Sequence, residues 1–179
     1  MSRTIETEIK IRIADPAKAR ASLAEMGARR TRERHLEDNL LFDDERRALL
    51  STGSILRLRR TPGLAVLTLK GPRTIEAGMK SRPELETTVG DADVLQAMLL
   101  GLGLRPAFRY QKYREAWEWE GQEIVVDETP IGDFLEIEGD REGIARAATL
   151  LGFSPRDYVA DSYVGLFLAG GGKGDMVFP

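Results

Sequence analysis

The feature that most constrains the fold of this chain is an alternation of charged and uncharged residues near its N-terminus. In the segment ETEIKIRI the charged side chains, which alternate with one threonine and three isoleucines, are Glu6, Glu8, Lys10 and Arg12. Successive residues of a β-strand point to opposite faces, so a strand here would have one charged and one apolar face. A strand with one face in solvent shows the same pattern, and this segment alone therefore does not place the charges.

The same two-residue period recurs along the chain, and the neighbours on the opposite face are mostly Leu, Ile, Val or Tyr. The further positions are Arg57, Arg59, Thr68, Lys70, Arg82, Glu84, Glu86, Lys112, Arg114, Asp127, Glu136 and Glu138. About eight strands are predicted, near residues 3–13, 35–43, 54–60, 64–70, 82–89, 107–119, 123–128 and 134–138. Eight strands are enough to close a barrel, and the turn residues between them predict a sheet that is mostly a meander.

Helical segments lie between the predicted strands. They are predicted at residues 16–26, 91–103 and 142–152, with a fourth opening at Ser154-Pro155. If these helices cover the apolar strand faces from outside, the charged faces must point inward. The sequence therefore predicts an α+β fold that is mainly β, an eight-stranded antiparallel closed barrel with helices packed outside and a polar tunnel within.

Composition excludes several classes of protein. The 179 residues, 42% hydrophobic and 31% charged, fit one soluble domain, expected over residues 1–168 with a flexible glycine-rich tail at 169–179. A net charge of -3 argues against a nucleic-acid surface, and no membrane span is visible. With no cysteine, disulfides and thiolate metal sites are excluded, and a cytoplasmic protein is expected.

The charges are segregated along the predicted strands. Acids concentrate on the first, fifth, seventh and eighth strands, and cations on the third, fourth and sixth. One interpretation is a barrel filled with internal ion pairs that binds no ligand. The segregation favours a carboxylate wall facing a cationic wall, with a divalent metal and a polyphosphate between them. Mg²⁺ and Mn²⁺ prefer carboxylate oxygens, whereas Arg and Lys bind phosphate.

In order and spacing these residues resemble the CYTH superfamily of triphosphate tunnel metalloenzymes, which includes class IV adenylyl cyclases and thiamine triphosphatases. The resemblance spans nearly the whole chain. It is carried by Glu6-x-Glu8-x-Lys10, Leu56-Arg57-Leu58-Arg59, Lys70-Gly71-Pro72, Lys80-x-Arg82-x-Glu84-x-Glu86, Lys112-x-Arg114, Asp127, Glu136-x-Glu138 and Asp161-Ser162-Tyr163. The class IV cyclase branch is the most similar, judged from LTLKGP, KSRPELE and LGFSPRDYVADSYVGL.

The resemblance implies roles for individual residues and a requirement for Mg²⁺ or Mn²⁺. The implied metal ligands are Glu6, Glu8, Glu136 and Glu138, with Asp127 and Glu84 or Glu86 as further or water-mediated contributors. The implied triphosphate-binding cations are Lys10, Arg57, Arg59, Lys70, Lys112 and Arg114, with Arg82 and Lys80 less clearly inside the tunnel. Glu6, Glu8, Lys10 and Arg114 are the residues to which the resemblance assigns catalysis. A homodimer is a further expectation from the resemblance.

The activity stays open at this stage. Conversion of ATP to cyclic AMP and pyrophosphate is implied by the branch resemblance alone, and hydrolysis of inorganic tripolyphosphate or thiamine triphosphate needs the same tunnel. No motif is specific for adenine, although Phe108, Tyr110, Phe134 or Tyr163 could stack on a ring. A non-catalytic sensor of polyphosphate or nucleotide is the alternative from another class. A carrier of apolar ligands fits poorly, because its barrel interior would be apolar.

Overall fold

The protein is described by a computed structural model that covers residues 4–179; residue 3 of the first predicted strand lies outside this range. Its strands are β1 (Thr4–Ile13), β2 (Arg29–Asp43), β3 (Ile55–Thr61), β4 (Leu64–Lys70), β5 (Thr74–Glu76), β6 (Met79–Val89), β7 (Arg105–Trp119), β8 (Gln122–Thr129) and β9 (Gly132–Glu138). Its helices are α1 (Pro16–Glu25), α2 (Ala48–Ser51), α3 (Ala92–Gly101), α4 (Arg141–Leu150) and α5 (Tyr163–Ala169).

Eight of the strands close into an antiparallel barrel, which confirms the predicted fold class. Their order around the barrel is β1-β9-β8-β7-β2-β3-β4-β6, and pairing of β6 with β1 closes the circle. The short β5 pairs with β6 outside this circle. The sheet is two meanders rather than one, because β2 pairs with β7 and β1 lies between β6 and β9.

The main hydrophobic core lies outside the barrel wall, under α1 and α4. Ile9 and Ile11 of β1 pack there with Ile137 of β9 against Leu23 of α1 and Ile144 of α4. All five side chains are almost completely buried. Burial of one strand face in this core fixes the register, because a shift by one residue would bring the charged face into contact with apolar helices.

Two helical predictions need correction. The segment after Ser154 forms only a short 3₁₀ turn at Pro155–Asp157, and α5 begins separately at Tyr163. Helix α5 also does not cover the outer apolar face, since its Tyr163 lies against Phe134, which belongs to the interior strand face. Helix α5 therefore closes one end of the barrel. The structure adds α2 and β5, which the sequence pattern did not predict.

The glycine-rich tail, predicted to leave the fold, lies along β7 instead. Met176 is buried and forms a parallel bridge with Tyr110. Its amide donates to the carbonyl of Arg109 at 3.0 Å, and its carbonyl accepts from the amide of Gln111 at 2.9 Å. Among the described residues, no helix is both long and apolar enough to cross a membrane.

Candidate functional site

The strand register brings the charged faces together inside the barrel. Strands β6, β1, β9 and β8 are contiguous and form the carboxylate wall; strands β7, β2, β3 and β4 are contiguous and form the cationic wall. The acidic strands and the cationic strands therefore form two halves of one barrel. Between the walls lies a cavity of about 940 Å³.

Three acids of the carboxylate wall form a compact cluster. Each of Glu6, Glu8 and Glu138 offers a carboxylate oxygen, and these oxygens lie within 4.8 Å of one another. Lys80 also forms an ion pair with Glu8, which places this lysine inside the cavity. Among residues 4–179, this is the group of acids whose geometry could hold a metal ion.

The two acids of β6, Glu84 and Glu86, are not members of the cluster and have other partners. The Lys70 ammonium donates to Glu6 at 2.6 Å and forms an ion pair with Glu84 at 2.6 Å. Glu86 is about half exposed, at 48%, and accepts a hydrogen bond from the Thr68 hydroxyl at 2.9 Å. The structure therefore does not bring Glu86 to the three clustered oxygens.

Asp127 and Glu136 are held by cations in the deep part of the barrel. The Asp127 carboxylate is fully buried and accepts from Lys112 at 2.9 Å, from Arg114 at 2.7 Å and from the Tyr163 hydroxyl at 2.7 Å. Glu136 pairs with Lys10 at 3.1 Å and with Arg114. These two acids, implied metal ligands by resemblance, form ion pairs with Lys10, Lys112 and Arg114 in this structure and lie outside the clustered trio.

The predicted cations line the cavity from several strands. Lining positions are Lys10, Arg57, Arg59, Lys70, Arg82, Lys112 and Arg114. Arg57 donates to Thr68 at 3.2 Å, and Arg59 donates to Asn39 at 3.3 Å. Arg82 differs from the others because its guanidinium donates to the carbonyl of Gly71 at 2.9 Å and to that of Gly53 at 3.0 Å. Arg82 thus ties β6 to two loops as well as facing the cavity.

Burial and crowding set the protonation of the main ionisable groups. Burial raises the pKa of Glu138 to about 8, with further contributions from the neighbouring charges of Glu6, Glu123 and Glu8. Burial lowers the pKa of Lys10, but the nearby carboxylates of Glu136 and Glu8 outweigh it and the net shift is upward. Glu138 is therefore mostly protonated at neutral pH beside the ion-paired Glu6 and Glu8, and Lys10 stays charged.

The cavity has an apolar end that the sequence pattern did not reveal. Leu41, Tyr110 and Val164, from β2, β7 and α5, pack in one cluster there, and Leu50 of α2 and Ile55 of β3 also line the cavity. Tyr110 was one of four aromatic candidates for ring stacking. The aliphatic members come from separate elements, and only the closed fold shows that they share one surface.

Sequence reasoning also missed a polar group on β2. Glu37 and Asn39 are both buried, and they lie opposite Lys112 and Tyr110 of β7 in the interior. The signal was present, since both residues share one face of the predicted strand 35–43 with His35. Glu37 therefore places a carboxylate among the interior cations of β3 and β7.

The pKa of Glu138 gives a testable pH dependence. An acid with a pKa of about 4.5 when unfolded and about 8 when folded binds more protons in the native state, so it lowers stability as pH rises through that window. In chelator, the free energy of unfolding of Glu138→Gln should match that of the wild type near pH 4.5 and exceed it by about 4–5 kcal/mol at pH 9. Urea unfolding at several pH values measures this difference. A stability difference independent of pH would contradict it.

Comparisons with known proteins agree with the architecture. Residues 4–160 match the CYTH domain. A candidate adenylate cyclase of Methanocaldococcus jannaschii is 31% identical over 135 residues, 75% of this chain and 76% of that protein. A solved candidate adenylate cyclase of Vibrio parahaemolyticus superposes with a TM-score of 0.83 at 22% identity, over 93% of this chain and 99% of that one.

A second solved structure has the same fold and a different described activity. It is a candidate adenylyl cyclase of Hippeastrum with a dominant triphosphatase activity, similar at a TM-score of 0.71 and 21% identity over 92% of this chain and 96% of that one. At these identities the two solved structures support the fold. The match over residues 4–160 together with the archaeal relative shows that the chain belongs to the CYTH domain family.

Proposed function

We propose that this protein is a divalent-metal-dependent enzyme that acts on triphosphates, and that it converts ATP to cyclic AMP and pyrophosphate. The observation that carries the proposal is the union of three surfaces in one cavity: a carboxylate cluster, a wall of cations and an apolar end. The carboxylates fit a metal, the cations fit phosphate oxygens, and the apolar end fits an organic group. The archaeal relative's name supports the cyclase reaction.

The donors present fit Mg²⁺ or Mn²⁺. Glu6, Glu8 and Glu138 offer only carboxylate oxygens, which hard divalent cations prefer. The raised pKa of Glu138 marks crowded negative charge that such a cation would relieve. When bound, the metal would act as a Lewis acid and offset charge on the phosphate oxygens.

The chain's own cations would position the triphosphate. Arg57, Arg59 and Lys112 face the cavity, and Arg114 is fixed by Asp127 and Glu136. Guanidinium and ammonium groups bind the non-bridging oxygens, so the phosphorus atom under attack is held in line with its nucleophile. In the cyclase reaction the ribose 3'-hydroxyl would lose its proton to solvent, and its oxygen would bond to the α-phosphorus while the bond from that phosphorus to pyrophosphate breaks. Fixed charges then stabilise the charge that develops.

The apolar end favours an organic triphosphate over inorganic tripolyphosphate. The aliphatic side chains of Leu41, Ile55 and Val164 cannot make favourable contacts with a ligand that offers only charged oxygens. A base or another ring packed there would bury apolar surface while its phosphates reach the cations. This favours ATP or thiamine triphosphate among the candidate substrates.

Hydrolysis of a terminal phosphate, from inorganic tripolyphosphate or thiamine triphosphate, is the second candidate. Glu123 lies opposite Glu138 on β8 and is exposed, so water reaches the edge of the acid cluster. A water molecule delivered there would replace the ribose hydroxyl as the nucleophile that attacks a phosphorus atom. The two reactions need the same side chains and differ in how the substrate is placed along the cavity.

Product analysis separates these functions. Purified protein is incubated with ATP, tripolyphosphate or thiamine triphosphate in Mg²⁺, Mn²⁺ or chelator, and the products are separated by chromatography. Cyclic AMP with pyrophosphate, formed only with metal, is the expected result. Orthophosphate as the main product from any of the three would replace the cyclase with a hydrolase. Tight binding without turnover of any substrate would indicate a sensor and overturn the enzymatic proposal.

A further inference from the structure

Glu37 is a buried acid within the cationic wall. It lies on β2 opposite Lys112 of β7, and its residue exposure is 1%. Neither the acid cluster nor the cavity lining includes it. Glu37 is therefore not among the residues proposed above to contact the metal or the phosphates.

The carboxylate of Glu37 lies beside two cations and a histidine ring. It lies 3.2 Å from Nη1 of Arg59, 3.7 Å from Nζ of Lys112 and 3.8 Å from Nε2 of His35. Among residues 4–179, neither of its oxygens makes a hydrogen bond of good geometry. Burial raises its pKa, but Lys112 and Arg114 outweigh burial and hold the pKa well below the ordinary value. Glu37 is therefore an anion held by charge attraction rather than by hydrogen bonds.

The cations stand between Glu37 and the cavity. Arg59 and Lys112 line the cavity on one side and contact Glu37 on the other. A polyphosphate chain would bring several negative charges to the cavity side of the same two groups. Because both anions interact with the same cations at close range, the negative charge of Glu37 weakens the attraction for the phosphate.

Glu37 is not needed to orient Arg59. Asn39, which lies on the same strand as Glu37, accepts a hydrogen bond from Nε of Arg59 at 3.3 Å. This bond would hold the guanidinium if Glu37 lost its charge. Lys112 is held in turn by Asp127 at 2.9 Å. Removal of the charge at Glu37 should therefore leave both cations in place.

We propose that Glu37 is a built-in counter-anion, which neutralises the phosphate-binding cations of the empty barrel and lowers their affinity for polyphosphate. The inference rests on the proposed function, because it requires that these cations bind a triphosphate. Glu37 would thereby set the affinity of the barrel for the phosphate chain. This affinity in turn governs how fast a phosphate product is released. The residue acts through Arg59 and Lys112 and does not touch the substrate.

The test is the affinity of Glu37→Gln for inorganic tripolyphosphate in chelator, measured by calorimetry. Glutamine keeps an oxygen for Arg59 and removes only the charge, so binding should tighten about tenfold. Glu115→Gln is the matched control: Glu115 is also buried and paired with an arginine, Arg20, but it lies outside the barrel. Its substitution should leave the affinity unchanged.

A purely structural role would give the opposite result. If wild type binds tripolyphosphate and Glu37→Gln binds equally or more weakly, this inference is overturned while the proposed function stands. If wild type binds neither tripolyphosphate nor ATP, even with Mg²⁺ present, the proposed function fails first. Should Glu37→Gln not fold, Asn39→Asp decides the question, because a second carboxylate beside Arg59 should weaken binding about tenfold. Unchanged or tighter binding by Asn39→Asp would also overturn the inference.

Discussion

Replacing Glu6 and Glu8 together by glutamine should lower metal-dependent turnover about a thousandfold. These two acids provide two of the three clustered oxygens, so the double variant loses most of the charge that would hold a divalent cation. Glutamine keeps the size of both side chains and leaves the apolar face of β1 intact. The loss should therefore appear in kcat/KM and not in the melting temperature.

A binding measurement identifies the cause of this loss. In chelator the double variant should bind tripolyphosphate at least as tightly as the wild type, because two negative charges near the cations are gone. Glu115→Gln, which changes an acid on the outer face, should keep full turnover. Equal turnover in the double variant and the wild type at saturating Mg²⁺ would contradict a metal site at Glu6 and Glu8.

Arg114→Met should lower the free energy of unfolding by about 3–5 kcal/mol. Arg114 pairs with both Asp127 and Glu136, whose side chains are 0% and 12% exposed. Without the guanidinium, two carboxylates would stay in the barrel with less compensation. Methionine fills similar space, so the loss would come from charge rather than from a cavity.

Arg109→Met is the matched control for this effect. Arg109 pairs with Asp38, but its side chain is 45% exposed and water replaces the lost partner. We expect at most about 1 kcal/mol of lost stability from this change. Urea unfolding of both variants gives the comparison. Losses of similar size would mean that the interior charges are well hydrated, contrary to a closed barrel.

Much of this architecture could be predicted because a strand has a fixed two-residue period. Once Glu6 is placed inside, the period places Glu8 and Lys10 there too, and closure of the barrel makes that side the interior. The same counting predicted which strands carry acids and which carry cations, but the acidic strands are contiguous because β2 pairs with β7 and β6 closes on β1.

The remaining features depend on contacts between distant parts of the chain. Asp127 receives a hydrogen bond from Tyr163, which lies 36 residues later on a helix whose start the pattern misplaced. The tail returns to β7 through a bridge at Met176, too short to leave a periodic signal. Glu37 shared a face with other polar residues of β2, but its place among the cations needed the pairing of β2 with β7.

The central claim is that one cavity holds a divalent metal on its carboxylate wall and a triphosphate on its cationic wall. The most direct test is anomalous diffraction from crystals soaked with Mn²⁺ and tripolyphosphate. We expect a manganese peak in direct contact with Glu6, Glu8 and Glu138, and phosphate density against Arg57, Arg59 and Lys112. Manganese bound elsewhere, or phosphate outside the barrel, would contradict the account.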